Sequence, residues 1–440
     1  MLRVHAKNHR YLDNGSGKPL YLVSSHTWMI DWDLQKWLDY LRFCRHWGLN
    51  FIRMWSWEHN RGDIGIWVRE SDGRSNLDKL DQKYFDSLRA FVSEADRQGL
   101  YVSVMVFQGF SGALPNHDFN LRNWTAHPMN KKNNVNGIDG DPEGKGYGTV
   151  IHSIDHPDIL RYWEAYVSKL VDTLNDFDNM IWEMGNEDPY PPFTRYFIDC
   201  IRERERTMRK QHLIYYSAGS FTGNDAVFSS SADIYGPQAD DLLWGTKDDL
   251  YYRDPPVVSH GKPEFLDNDH LGNHVGVDKF TPLDQRNWTW KAFLRGYHPW
   301  HMDGYDVAWW LGMDPVKDHP IPGVSTLPQW DPQRKSLGDT LRYANKLKHL
   351  ADAIPTDDKS ICSTGYCLFC PGKEYLAYQP EPLGSISLDI APGSYTVESY
   401  NPVDDSVESR ELIGWAGGLA TFAAPQHCSE DWVIHIWSTS

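Results

Sequence analysis

Asn179-Met180-Ile181-Trp182-Glu183-Met184-Gly185-Asn186-Glu187 reads as a short buried strand that ends abruptly in an amide beside a carboxylate. A core strand ordinarily closes in turn residues, whereas here a polar pair precedes Asp188-Pro189. The pair suits the mouth of a barrel, where Glu187 meets a departing oxygen as proton donor and Asn186 meets a neighbouring hydroxyl. Taken alone, it also fits a capping Asn and a solvated Glu ahead of a helix opened by Pro191-Pro192.

The surrounding order of elements separates the two readings. Leu20–Val23 reads as a strand, and 33–47 places Leu34, Trp37, Leu38, Leu41 and Cys44 at helical spacing before Gly48. Asn50–Trp55 is the second strand. Tyr84, Phe85, Leu88, Phe91, Val92 and Ala95 form the stripe of the next helix, which Gly99 closes before the strand Leu100–Phe107. An Asn- and Gly-rich insertion from Gln108 to Ser153 follows, and loops of that length in compact domains usually serve function. Pro157 then opens a helix carrying Ile159, Tyr162, Tyr166, Leu170 and Leu174 into the Glu187 strand. Further strands are legible at Leu213–Ser217, Ala232–Tyr235, Pro263–Asp267 and Val307–Trp310, and the last helix spans 339–353.

Strands alternating with helices over about 350 residues predict an α/β fold, a (β/α)8 TIM barrel occupying 1–353. Beyond it the texture changes to Pro, Gly and short alternating runs such as Ser385–Ile390, Tyr395–Tyr400 and Trp432–Trp437. These predict a small C-terminal antiparallel β-sandwich over 354–440.

Composition narrows the partners. With 43 Lys plus Arg against 60 Asp plus Glu, the net charge of −17 repels phosphate-rich ligands and argues against nucleic acid. Neither a long apolar run nor a charged-then-apolar leader is present, so the expectation is a soluble chain with no membrane partner, cytoplasmic or secreted after loss of a leader. The oligomeric state is not legible. Six cysteines in 440 residues do not make a disulfide scaffold, and Cys362, Cys367 and Cys370 have incomplete zinc spacing. No HExxH spacing occurs among 19 histidines, so no catalytic metal and no cofactor are expected.

The 20 Trp and 23 Tyr point to carbohydrate. Trp28, Trp55, Trp57, Trp309 and Trp310 fall near expected strand ends, where flat rings stack on sugar faces and leave hydroxyls to hydrogen-bond. His26, at the end of the first strand, is a further sugar-hydroxyl candidate. Glu58 and His59 follow Trp55 and are candidates to line the same cleft, with a solvated loop as the default reading, and Glu183 needs a cation such as Arg53 if it points into the barrel. Asp303, Tyr305 and Asp306 are expected to precede or open the eighth strand and are candidates to donate to substrate.

A second carboxylate is needed. His260-Gly261-Lys262-Pro263-Glu264-Phe265-Leu266-Asp267-Asn268-Asp269-His270 ends the seventh strand in a polar cluster on the same rim. Glycosidases hold two carboxyls about 5 to 5.5 Å apart when retaining and about 6.5 to 9.5 Å apart when inverting.

Asn186-Glu187 on the fourth strand, Arg53 in Phe51–Trp55 on the second, Tyr235 on the sixth and Lys262-Pro263 opening the seventh resemble the clan A (β/α)8 glycoside hydrolases. Within that clan the runs 133–138, 171–176 and 363–367 resemble bacterial cellulase-like proteins whose C-terminal domain carries a collagen-binding label. The resemblance implies Glu187 as acid/base, Asn186 as partner of a sugar 2-hydroxyl, Arg53 and Tyr235 as the groups that orient and ionise the nucleophile, and a Trp near Trp309 as a sugar platform. One position departs from the pattern: the clan's nucleophilic Glu falls on Asn268, so the role passes to Asp269 or Asp267. Alternation puts both aspartates on the face opposite Asn268. Asp269, beyond the strand and next to His270, is slightly favoured. The expected activity is hydrolysis of an oligo- or polysaccharide; the competing class is a non-catalytic carbohydrate-binding or matrix-adhesion protein on a degenerate barrel.

Overall fold

Several helices around the candidate site begin or end on a local chemical signal. The computed structural model describes residues 1–26, 32–55, 58, 63–107, 109, 112–113, 123–186, 190–217, 223–237, 250–268, 281–303, 305, 330–426 and 428–439. In the helix Gln82–Arg97 the Asp81 side chain accepts the Lys83 amide, and the buried residues are the six of the predicted stripe. Gly99 follows it with φ of 72°, a left-handed turn that suits glycine. Pro157 and Pro191 open the helices Pro157–Leu174 and Pro191–Glu205, and a Thr281/Asp284 capping box opens Pro282–Leu294.

The parallel strands are β1 (Ser24–His26), β2 (Phe51–Met54), β3 (Tyr101–Met105), β4 (Met180–Met184), β5 (Ile214–Ser217), β6 (Ile234–Gly236), β7 (Phe265–Asn268) and β8 (His298–Met302). Each is followed by a helix: α1 (Leu34–His46), α2 (Gln82–Arg97), α3 (Pro157–Leu174), α4 (Pro191–Glu205), α5 (Gly223–Phe228), α6 (Leu250–Arg253), α7 (Pro282–Leu294) and α8 (Asp331–Lys346). The chain divides into two compact units, one built mainly on 51–242 and the other on 4–25, 44–50 and 243–440. The first holds the sheet β6-β5-β4-β3-β2, the second the sheet β7-β8-β1.

Three boundaries differ from the sequence reading. Leu20–Val23 is not a ladder strand: Leu20 bridges Leu12, the Leu22 amide donates to His298 Nδ1 and the Val23 amide to Asn50 Oδ1, so pairing begins only at Ser24. The strand beside β7 is His298–Met302, in register from Phe265↔His298 to Asn268↔His301. Val307–Trp310 lies outside the described residues. Helix α8 starts at Asp331, with Pro332 in its first turn, and ends at Lys346 as Leu347 turns extended.

In the second unit the C-terminal strands are β9 (Ile354–Thr356), β10 (Cys367–Cys370), β11 (Glu374–Gln379), β12 (Ile386–Ile390), β13 (Gly393–Tyr400), β14 (Val407–Trp415), β15 (Gly418–Phe422) and β16 (Trp432–Ser438). They form an antiparallel sheet in the order β9-β10-β11-β16-β13-β14 and a separate pair β12-β15. One core joins both, with Ile386, Leu388 and Ile390 from the pair packed with Tyr375, Val397, Ile434 and Ile436. Burying each such side chain contributes about 1.5–3 kcal/mol.

Candidate active site at the end of the fourth strand

Strand β4 is buried along its whole length, and its two faces have different partners. Trp182 turns its indole N–H to Glu205 of α4 at 3.1 Å, which assigns Trp182 and Met184 to the helix side and Glu183 to the opposite, inner side. Arg53, registered with Ser103, shares that inner side. Arg53 Nε donates to Glu183 Oε1 at 2.6 Å, and Ser103 Oγ donates to Glu183 Oε2 at 2.6 Å. Arg53 is 1% exposed and Glu183 0%, so a charge that would be costly alone is paired and hydrogen-bonded. The Arg53 guanidinium also lies 5.3 Å from the ring centre of buried Trp55.

Simple alternation would return Asn186 to the helix side. Gly185 prevents this, because its φ of 80° breaks the extended path. Asn186 Oδ1 accordingly accepts from Arg53 Nη2 at 2.5 Å, and its backbone carbonyl accepts from the Gly109 amide at 3.0 Å. Buried Asn186 Nδ2 has no hydrogen-bond partner among the described residues. Glu187 follows directly and lies outside the described residues, as do Asp269, His270, Trp28, Trp57, His59, Asp306, Trp309 and Trp310. His26 ends β1.

Tyr235 is placed on the helix side of β6. Its hydroxyl lies 3.2 Å from the Phe228 carbonyl at the end of α5 and 3.3 Å from that of Ser230, and its ring meets Phe228 edge-on. The inner position falls to Gly236, over which Tyr215 lies: a Cβ there would come within 2.4 Å of the Tyr215 hydroxyl.

The loop after β2 holds a surprise for the sequence reading. Glu58 is not solvated but fully buried, with His152 Nε2 2.9 Å and 3.0 Å from its two oxygens. His127 Nε2 stands 3.6 Å away, beyond hydrogen-bond length, while its Nδ1 accepts the Met129 amide. Burial alone would raise the Glu58 pKa; the charge and hydrogen bonds of His152, with His127 beside it, outweigh this and hold the carboxyl at about 2. His127 itself is pushed down by burial. The insertion is ordered by amides: Asn134 Nδ2 donates to the carbonyls of Pro128, Asn130 and Ile138, and Asn136 accepts the Leu77 amide.

In the second unit, Leu266 packs against Trp288 and Ala292 of α7, so Asn268 shares the helix side and Asp267 the inner side with Phe265 and Trp300. Asp267 is 4% exposed. Asp303 follows β8 instead of preceding the strand. It is fully buried against Arg334 of α8, which donates through Nε at 2.7 Å and Nη2 at 2.5 Å. It also accepts the Tyr305 amide at 2.9 Å, which makes it a tertiary anchor between the end of β8 and α8.

Ser103, His127 and His152 were missed by sequence reasoning. Only the inward phase of Ser103, two residues before Met105, carried a signal for it. Among the described residues, no three His, Cys, Asp or Glu side chains are grouped to hold a metal ion, and no helix is long and apolar enough to cross a membrane.

Residues 6–135 match the family model described as "Apiosidase-like, catalytic domain". No curated protein matches the sequence. A glycoside hydrolase family 5 protein from Bacteroides vulgatus is similar in structure, with TM-score 0.63 at 14% identity over 100% of this chain and 93% of its own. A structure titled "Glycoside hydrolase" gives TM-score 0.62 at 14% identity over 100% of this chain and 97% of its own. A family 5 mannosidase from Rhizomucor miehei in complex with mannosyl-fructose gives 0.50 at 12% identity over 79% and 98%. The likeness to these solved glycoside hydrolases is one of fold, and the match to the apiosidase-like model covers the N-terminal residues 6–135.

Proposed function

We propose that this protein hydrolyses glycosidic bonds of an oligo- or polysaccharide by retaining double displacement, with Glu187 as acid/base and Asp269 or Asp267 as nucleophile. The observation that carries the reading is the buried Arg53–Glu183–Asn186 assembly, which fixes the end of β4 one residue before Glu187. The enzymes of similar fold and the apiosidase-like match support the same class. We read β1 to β8 as one closed (β/α)8 barrel within 1–353 and the C-terminal sheets, 354–440, as an accessory sandwich. Carbohydrate is the proposed partner.

In the first step protonated Glu187 donates to the glycosidic oxygen while the aspartate attacks the anomeric carbon. In the second, Glu187 takes a proton from water, which displaces the aspartate and releases the sugar with its configuration kept. Asp267 gains support from its inner-face placement. Arg53 is neutralised by Glu183, so its part is positional: it holds Asn186 toward a sugar hydroxyl.

The test is a panel of 4-nitrophenyl and 2,4-dinitrophenyl glycosides and polysaccharides, with product configuration followed by NMR. Wild-type protein is expected to release product with retention. Glu187→Gln is expected to lose about a thousandfold or more in kcat/KM on glycosides with poor leaving groups and far less in kcat/KM on 2,4-dinitrophenyl glycosides, which need no proton to depart, while kcat falls on both because the second step loses its base. Near wild-type turnover by Glu187→Gln removes it from the mechanism, and inversion removes the aspartate nucleophile.

A further inference from the structure

The Nδ2 of Asn186 is buried, 3% exposed as a residue, and unmatched by any acceptor among the described residues, yet its orientation is held by a chain of three bonds. Ser103 Oγ donates to Glu183 Oε2 at 2.6 Å, Arg53 Nε donates to Glu183 Oε1 at 2.6 Å, and Arg53 Nη2 donates to Asn186 Oδ1 at 2.5 Å. An amide can flip and exchange its donor and acceptor ends. Here the guanidinium can meet only the oxygen, so the donor end faces away from Arg53. The Gly109 amide on the Asn186 carbonyl holds the backbone as well. A buried donor held without an acceptor is unfavourable in the free protein, and a ligand oxygen relieves it.

We infer that Ser103 and Glu183 are positioning residues that never touch substrate but lock Asn186 with its donor toward one sugar hydroxyl, and so set specificity for a glycoside bearing a hydroxyl at that carbon. The inference rests on the glycosidase reading and extends it from Asn186 to two residues behind it. Loss of the Ser103 hydroxyl frees one Glu183 oxygen, loosens Arg53 and lets the amide sample its flipped state. The consequence is local: discrimination for one hydroxyl falls, whereas contacts elsewhere on the sugar are unaffected.

The experiment pairs variants with substrates. The 4-nitrophenyl glycoside hydrolysed fastest by wild type is compared with each of its monodeoxy analogues, for wild type, Ser103→Ala, Ser103→Thr and Glu183→Gln. Ser103→Ala keeps the buried ion pair and serves where Glu183→Gln does not fold. Wild type is expected to lose about tenfold or more in kcat/KM on one monodeoxy analogue. Ser103→Ala is expected to lose several-fold on the parent and almost nothing further on that analogue, and Ser103→Thr to restore the parent rate. Equal losses by Ser103→Ala on the parent and all analogues make the role merely structural and overturn the inference alone. Absence of hydrolysis by wild type overturns the glycosidase reading and this role with it.

Discussion

Arg286 of α7 and Asp431, just before β16, form a buried two-pronged pair: Nε lies 2.9 Å and Nη2 2.7 Å from Asp431 Oδ1, with Arg286 7% and Asp431 0% exposed in their side chains. Tyr378 donates its hydroxyl to the other oxygen at 2.8 Å, and Glu430 also contacts the guanidinium. The pair does not act alone, since Lys346 and Tyr343 of α8 both reach Glu398 and the Trp290 and Tyr378 rings stack at 5.9 Å. The C-terminal sheet is thus bound to α7 and α8 by desolvated charges as well as apolar area. Asp431→Ala removes the buried carboxylate and leaves the Arg286 charge only the half-exposed Glu430, which is expected to cost about 3 kcal/mol. Urea unfolding followed by tryptophan fluorescence measures this; a loss under about 1 kcal/mol contradicts it.

Gly185→Ala probes the turn that redirects Asn186. A φ of 80° is open to glycine but costs another residue about 1–2 kcal/mol. Activity is expected to fall further than that stability loss accounts for, because relaxation of the turn carries Asn186 and Glu187 with it. Parallel measurement of unfolding and of kcat/KM on the best aryl glycoside decides: an active variant with only the stability loss refutes the link.

His298 makes stability depend on pH. Burial lowers its pKa from 6.5 to about 4, while Nδ1 accepts the Leu22 amide at 2.8 Å and Nε2 meets the Arg10 carbonyl at 2.9 Å, which assigns the neutral ring with its proton on Nε2. Between these two values the unfolded chain takes up the proton more readily than the folded one, so stability falls as pH drops from about 6.5 to about 4, by up to about 3 kcal/mol from this residue. His298→Gln keeps an acceptor and a donor but does not titrate. Its melting temperature is expected to vary less with pH across that window than that of wild type; parallel curves rule the assignment out.

Glu58 acts in a lower window and on a different part of the molecule. Its carboxyl is held near 2, below the usual 4.5, so its contribution is full above about 4.5 and is lost as pH falls toward about 2. His152→Ala removes both of its hydrogen bonds to the buried carboxylate and is expected to loosen the segment 123–153, read as faster cleavage there in limited proteolysis. Unchanged cleavage sites and rates would mean that the insertion is held without this pair.

What could be read in advance was short in range. The α2 stripe, the Pro157 and Pro191 starts and the buried run into Gly185-Asn186 depend on residues a few positions apart, and the structure has them where periodicity and capping put them. Strand β8, by contrast, is His-Pro-Trp-His-Met, with no apolar alternation to announce it. It becomes a strand because β7 and β1 lie on either side of it. Glu58 looks like a loop residue until His152 arrives from 94 positions away.

The sequence by itself determined the alternation of strands and helices, the antiparallel texture of the tail and the polar end of the fourth strand, since each follows from the preferences of neighbouring residues. Only the tertiary structure decided that Glu183 is answered by Arg53, 130 positions earlier, that Tyr235 faces a helix, and that Asp303 belongs to Arg334. The reason is that a buried charge or hydroxyl takes its partner from whatever the folded chain brings within about 3 Å, and that proximity has no trace in local spacing.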